Sequence, residues 1–178
     1  MKKSTLFFVC ITTLFAACES SQQKLHNKIV KEERAIYADS VVTPKEDSLV
    51  KILIDDYQAF AKQNANDSLA PEYIFKAADL CKNTTRYKQA IDCWTSIIQK
   101  YPKSNRAAYS LFLQAFTYEN NMNDTAVAKK LYNSFIEKYP THPLAASAKA
   151  SVEQMGIPLD ELIKKFEEKN KQAVAAKK

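Results

Sequence analysis

Apolar residues recur at helical spacing along most of this chain. Leu49, Leu53, Tyr57 and Phe60 share one face of a helix that opens at Thr43-Pro44-Lys45-Glu46 and runs to about Gln63. That opening has a hydroxyl cap, a proline in the first turn and a glutamate placed to reach back to the cap. A second helix is expected over roughly Ala70–Lys82, with Ile74, Ala78 and Cys81 inward. Asn83-Thr84-Thr85 turns the chain, with Thr85 the expected cap. The partner helix then runs to about Lys100 and buries Ala90, Trp94, Ile97 and Ile98.

The same plan follows again. A helix over about Asn105–Asn120 leads into the polar turn Asn121-Met122-Asn123-Asp124, then into Thr125–Lys138 with Asp124 as cap. A further helix, about Pro143–Met155, ends at Gly156. Pro158 opens a last one with Leu159, Leu162, Ile163 and Phe166 on one face, expected over about 158–172 as a cap on the final apolar surface. Residues 173–178 are read as a basic tail. One glycine and six prolines suit long helices with few tight turns, since glycine supplies left-handed turn positions. The expected fold is all-α, with about seven helices.

Superposition of the chain on itself sharpens this. A shift of 38 residues lays Ala90 on Ala128, Trp94 on Tyr132, Ile97 on Phe135 and Pro102 on Pro140. A shift of 37 the other way finds a fainter copy, with Leu53, Tyr57, Phe60 and Ala70 under Ala90, Trp94, Ile97 and Ala107. Ala90 and Ala128 are small where the helices of each hairpin cross closely, and Trp94 and Tyr132 fill the space beside them. A repeat of this length, with a small residue, an aromatic four later and a proline after the second helix, resembles the tetratricopeptide repeat. The resemblance implies a short right-handed superhelix of antiparallel hairpins whose concave surface is lined by the first helix of each hairpin. The helical domain is expected over residues 44–172, capping helix included.

The N-terminus carries a different pattern. Met1-Lys2-Lys3 is a positive segment, and Leu6–Phe15 is an apolar run too short to span a membrane. Leu14-Phe15-Ala16-Ala17-Cys18 resembles a bacterial lipobox, with Phe15 where a strict pattern has leucine. That resemblance implies a signal peptide over 1–17, acylation of Cys18 (palmitate among the chains) and anchorage stable enough to hold a domain. Glu19-Ser20-Ser21 follows, without the aspartate of inner-membrane retention, which favours the outer membrane with the domain in the periplasm. Residues 18–43 are read as a polar, lipid-anchored tether, in which Leu25, Ile29, Ile36 and Tyr37 mark at most a short amphipathic helix.

Charge adds little. The chain carries +6; loss of Lys2 and Lys3 leaves 24 basic against 20 acidic side chains, a net +4. This is too mild for nucleic acid, where a basic stripe is the footprint. Nor do the motifs of catalysis occur: no serine or cysteine elbow, phosphate loop or metal-ligand spacing is present. Asp55/Asp56 and Glu167/Glu168 are sequence neighbours on helices and point to different sides. His26 lies in the tether and His142 at a helix start, suited to capping or the surface. Cys81 and Cys93, the cysteines left after the leader and Cys18, either pair as a disulfide or remain buried thiols. No enzyme, cofactor or metal is expected.

One helix differs from its equivalents. Outside its core stripe of Leu111, Ala115 and Tyr118, the helix over 105–120 carries Tyr109, Leu113 and Phe116, so it is apolar almost all round. The corresponding positions are Glu72, Lys76 and Asp79 in the helix before, and Ser147, Ser151 and Gln154 in the helix after. Either this face is a groove centred on Tyr109, Leu113 and Phe116 and rimmed by Glu72, Lys76, Asp79 and Gln154, or the tether or capping helix covers it. An apolar patch with a polar rim is how a helix or extended peptide is gripped.

Repeats and lipobox together are similar to bacterial envelope tetratricopeptide lipoproteins, such as BamD-type components of the outer-membrane β-barrel assembly machine and YbgF-type cell-division coordinators. The resemblance covers residues 48–156. It implies a scaffold that binds an envelope protein or peptide, with outer-membrane assembly machinery among the partners; a division adaptor or an accessory lipoprotein of glycan or nutrient uptake are the alternatives.

Overall fold

The computed structural model describes residues 19–37 and 44–175. These form eight α-helices and no strand: α1 (Ser21–Tyr37), α2 (Pro44–Gln63), α3 (Leu69–Asn83), α4 (Tyr87–Lys100), α5 (Asn105–Asn120), α6 (Thr125–Lys138), α7 (Ala145–Gln154) and α8 (Leu159–Ala175). From α1 to α7 each helix packs on the next in the chain, and α3 also touches α5. The result is an all-α helical-repeat solenoid.

The aligned residues of the two copies do the same work. Ala90, Trp94 and Ile97 on α4, and Ala128, Tyr132 and Phe135 on α6, are all fully buried. Tyr57 and Phe60 of the fainter copy are buried with them. The two junctions repeat bond for bond. Tyr101 and Tyr139 have φ −127 with ψ 50 and φ −131 with ψ 56, the extended φ that a following proline favours. Their N–H groups donate to Ile97 and Phe135 carbonyls at 2.8 Å, and their carbonyls accept from Ser104 and His142. The hairpin turns match as well: Thr85 (φ 62) and Asn123 (φ 52) are both left-handed. Asp124 caps α6 by accepting the Val127 N–H, and Ser104 caps α5 by accepting that of Arg106.

Two expectations are corrected. Residues 21–37 are not a tether but a 17-residue helix, α1, packed on α2 with Ile29 fully buried and Ile36 nearly so. Ser20 caps it, its hydroxyl accepting the Gln23 N–H. Only Tyr37 of the four apolar residues singled out there stays exposed. Secondly, Thr85 does not cap α4. Its left-handed backbone turns the chain, Arg86 takes the cap position, and Thr84 bonds back to the Leu80 carbonyl. Of the two readings left open for Cys81 and Cys93, the structure shows the buried free thiols, and burial pushes the Cys81 thiol up to about 12. The last helix, α8, forms where it was expected, after Gly156 at φ 82, and its Ile163 and Phe166 are each 49% exposed. The leader, Cys18, the cap at Thr43 and the last three residues lie outside the described residues.

Hydrogen bonds and ion pairs reinforce the apolar seat of α1. Lys28 meets Asp56 of α2 at 2.6 Å and Glu32 at 3.7 Å. Burial, and next the neighbouring Asp56, hold the Glu32 carboxyl above its ordinary range. Ionisation of Glu32 therefore works against the docked helix; the penalty is full above its folded pKa and fades as pH falls through that value. Ile29→Ala should cost about 2–5 kcal/mol in urea unfolding, where a tether residue would cost nothing. Glu32→Gln should raise the melting temperature relative to the parent chain above neutral pH. That advantage should shrink steadily as the pH is lowered into the carboxylate range, as a paired series of thermal melts would show.

Candidate functional site: the inner face of α3 and α5

The first helices of successive hairpins lie side by side and in the same direction. Near their starts, Arg106 of α5 grips Glu72 of α3, its Nε 2.9 and 2.8 Å from the two carboxylate oxygens and Nη2 at 2.7 Å. Its guanidinium also covers the Phe75 ring, 4.6 Å from the centroid. Near their ends, Lys82 Nζ stands 5.7 Å from the centroid of Phe116. Between these fixed points run the three apolar residues of α5. Tyr109 is 39% exposed and Phe116 38%, while Leu113 is partly buried against the core. Tyr109 meets His142 edge to face at 4.9 Å. His142 itself accepts the Leu144 N–H at its Nδ1, so it serves the turn before α7.

The polar rim is less free than its sequence suggests. Glu72 is committed to Arg106, whose proton it holds more tightly than usual. Lys76 reaches the other way, to Glu33 of α1 at 2.7 Å, and its ammonium lies over the Tyr73 ring. Glu33 also accepts the Tyr57 hydroxyl at 2.8 Å. Asp79 is half-buried, and desolvation raises its carboxyl despite Lys82 and Arg106 nearby. With Glu33, Tyr37, Tyr57 and Lys76 it lines a small cavity of about 180 Å³. Gln154 lies exposed on α7. The structure thus brings Glu72, Asp79, Tyr109, Leu113 and Phe116 onto adjoining turns of α3 and α5, and draws Lys76 toward α1.

Sequence reasoning missed Arg106, Phe75 and Glu33. Arg106 had a usable signal, an arginine at the start of α5 opposite an acid at the start of α3. Glu33 had none while residues 18–43 were read as tether. It also misjudged the flank of α5 that faces α4, which buries Ser110, Gln114 and Thr117. Gln114 Nε2 donates to Thr95 Oγ1 at 2.7 Å, so part of this stripe is a polar bridge between helices.

On the outer side a cavity of about 570 Å³ opens between α2 and α4, with Ala61, Ile74 and Cys93 in its wall and Lys62 and Lys100 at its lip. Among the described residues no cluster of three or more His, Cys, Asp or Glu is placed to hold a metal ion. Nor is any described helix long and apolar enough to cross a membrane.

Residues 72–104 and 109–142, which are α3–α4 and α5–α6 nearly whole, match the family model for the tetratricopeptide repeat. The chain contains tetratricopeptide repeats. No curated protein matches the chain. Tetratricopeptide repeats mediate protein–protein contact, which makes the inner face of α3 and α5 the surface to test.

The Glu72–Arg106 clamp fixes how these two repeats meet. Both side chains are about one-third exposed, so solvent weakens the pair. A double-mutant cycle with Glu72→Gln and Arg106→Gln should return a coupling of about 0.5–1 kcal/mol in urea unfolding.

Proposed function

We propose that this protein is a lipoprotein anchored to the outer membrane through Cys18, and that its tetratricopeptide solenoid is a non-enzymatic scaffold for an envelope protein. The inner face of α5 grips a helix or extended segment of that partner. The observation that carries the binding surface is the exposure of Tyr109 and Phe116, two large rings left more than one-third open beside a half-buried leucine. Such rings offer much contact area at little conformational cost, and interface energy concentrates in residues of this kind. The polar groups around them are mostly neutralised in pairs, so the face discriminates by shape and apolar contact more than by charge. The anchor rests on the lipobox-like Leu14–Cys18 segment behind a short apolar run. Trp94 is fully buried, which removes the one indole on which a sugar ring could stack and disfavours the glycan reading.

The test is a comparison of captures. Envelope solubilised in mild detergent is passed over the Cys18-bearing chain and over its Tyr109→Ala, Phe116→Ala double variant. The expected outcome is a partner retained by the parent and reduced at least about tenfold by the variant, with melting temperatures that agree within a few degrees. A large drop in melting temperature would instead make this face part of the core, and equal capture would remove it from the binding surface.

A further inference from the structure

All the turns that join a second helix to the next first helix lie at one end of the solenoid, and the beginning of α1 lies there too. Gln22, in the first turn of α1, hydrogen-bonds Asp67 in the α2–α3 turn. The Glu72–Arg106 clamp places the α4–α5 turn at the same end, and the Tyr109–His142 contact adds the α6–α7 turn. Four exposed lysines belong to this edge: Lys62 at the end of α2, Lys100 at the end of α4, Lys103 in the following turn and Lys138 at the end of α6. None of them forms an ion pair with a described residue; of the acids on the same edge, Glu72 is paired with Arg106, Asp67 accepts a hydrogen bond from Gln22, and Glu137 beside Lys138 is exposed. At the opposite edge Arg86 is paired with Asp47.

Only Glu19 and Ser20 separate Cys18 from the first residue of α1. Three peptide links reach at most about 10 Å. We propose that this lysine edge lies directly against anionic lipid headgroups, so that the helices stand upright on the bilayer and the inner face opens sideways, parallel to the membrane. The inference rests on the anchoring of Cys18 and adds to it an orientation. An acyl anchor and a basic surface reinforce each other, because each lysine brought close to an anionic leaflet is attracted within a Debye length.

Orientation can be read with single thiols. Thr141→Cys places a fluorophore on the lysine edge and Asn83→Cys places one on the far edge; both positions are exposed, and Cys81 and Cys93 are buried. A 15-residue helix separates the two edges by about 22 Å, beyond the reach of short-range quenching. The mature acylated chain is reconstituted into phosphatidylcholine vesicles containing phosphatidylglycerol and nitroxide-labelled headgroups. The Thr141 label should be quenched several-fold more than the Asn83 label. Changing Lys62, Lys100, Lys103 and Lys138 together to glutamate should erase most of that contrast. Equal quenching at the two sites in the parent chain overturns the orientation while leaving the anchor intact. Contrast that survives the four substitutions overturns the part assigned to the lysines. Mass spectrometry that finds Cys18 unacylated overturns the anchor, and the orientation with it.

Discussion

The closeness of the two helices within each hairpin is the constraint on which the rest of this structure depends. At Ala90 and Ala128 there is no side chain beyond a methyl group, so α4 and α6 pack tightly against their partners and Trp94, Tyr132, Ile97 and Phe135 close over the crossing. A larger residue there would hold the helices apart at a cost of about 1–3 kcal/mol. Each hairpin buries only part of its apolar surface by itself and needs the next one to cover what remains. The position of every side chain on the inner face follows from that stacking. Tyr109 and Phe116 share a surface with Glu72 and Asp79 because the crossings set the spacing of α3 and α5.

Where the chain repeats itself, the fold was legible in the sequence. Ala90 against Ala128 and the Tyr-Pro junctions gave helix limits that the structure reproduces for α5 and α6 to the residue. What lay outside the repeat was read less well, and for physical reasons. Residues 21–37 are so charged that only Ile29 and Ile36 are buried, and Lys28, Glu33 and His26 add polar bonds to α2 and α3. Periodicity counts apolar residues and is blind to a helix seated by polar ones. At α8 the spacing found the helix, and its Ile163 and Phe166 are each about half exposed. Spacing shows that a helix has an apolar side; it does not show that anything covers it.

Of the inner face, the apolar residues were readable and the charges were not. Glu72 and Lys76 look alike in sequence, two charged residues one turn apart. In the structure one turns to α5 and the other to α1, so each joins a neighbouring helix instead of lining an open rim. The inner face is in this sense stitched across from α1 to α5, with Lys82 over Phe116 as a further stitch. Such a surface presents little net charge to a visitor and is stiffened along its length.

Thr85 and Asn123 share one further lesson. Both adopt the left-handed backbone at the equivalent place in successive hairpins, yet one is β-branched and poorly suited to it while the other tolerates it readily. The duplicated unit has thus kept a dihedral angle while letting the residue drift. Any designer averaging the two copies into an idealised array would therefore do well to take asparagine or glycine there, and would spare every hairpin the strain that the threonine copy carries.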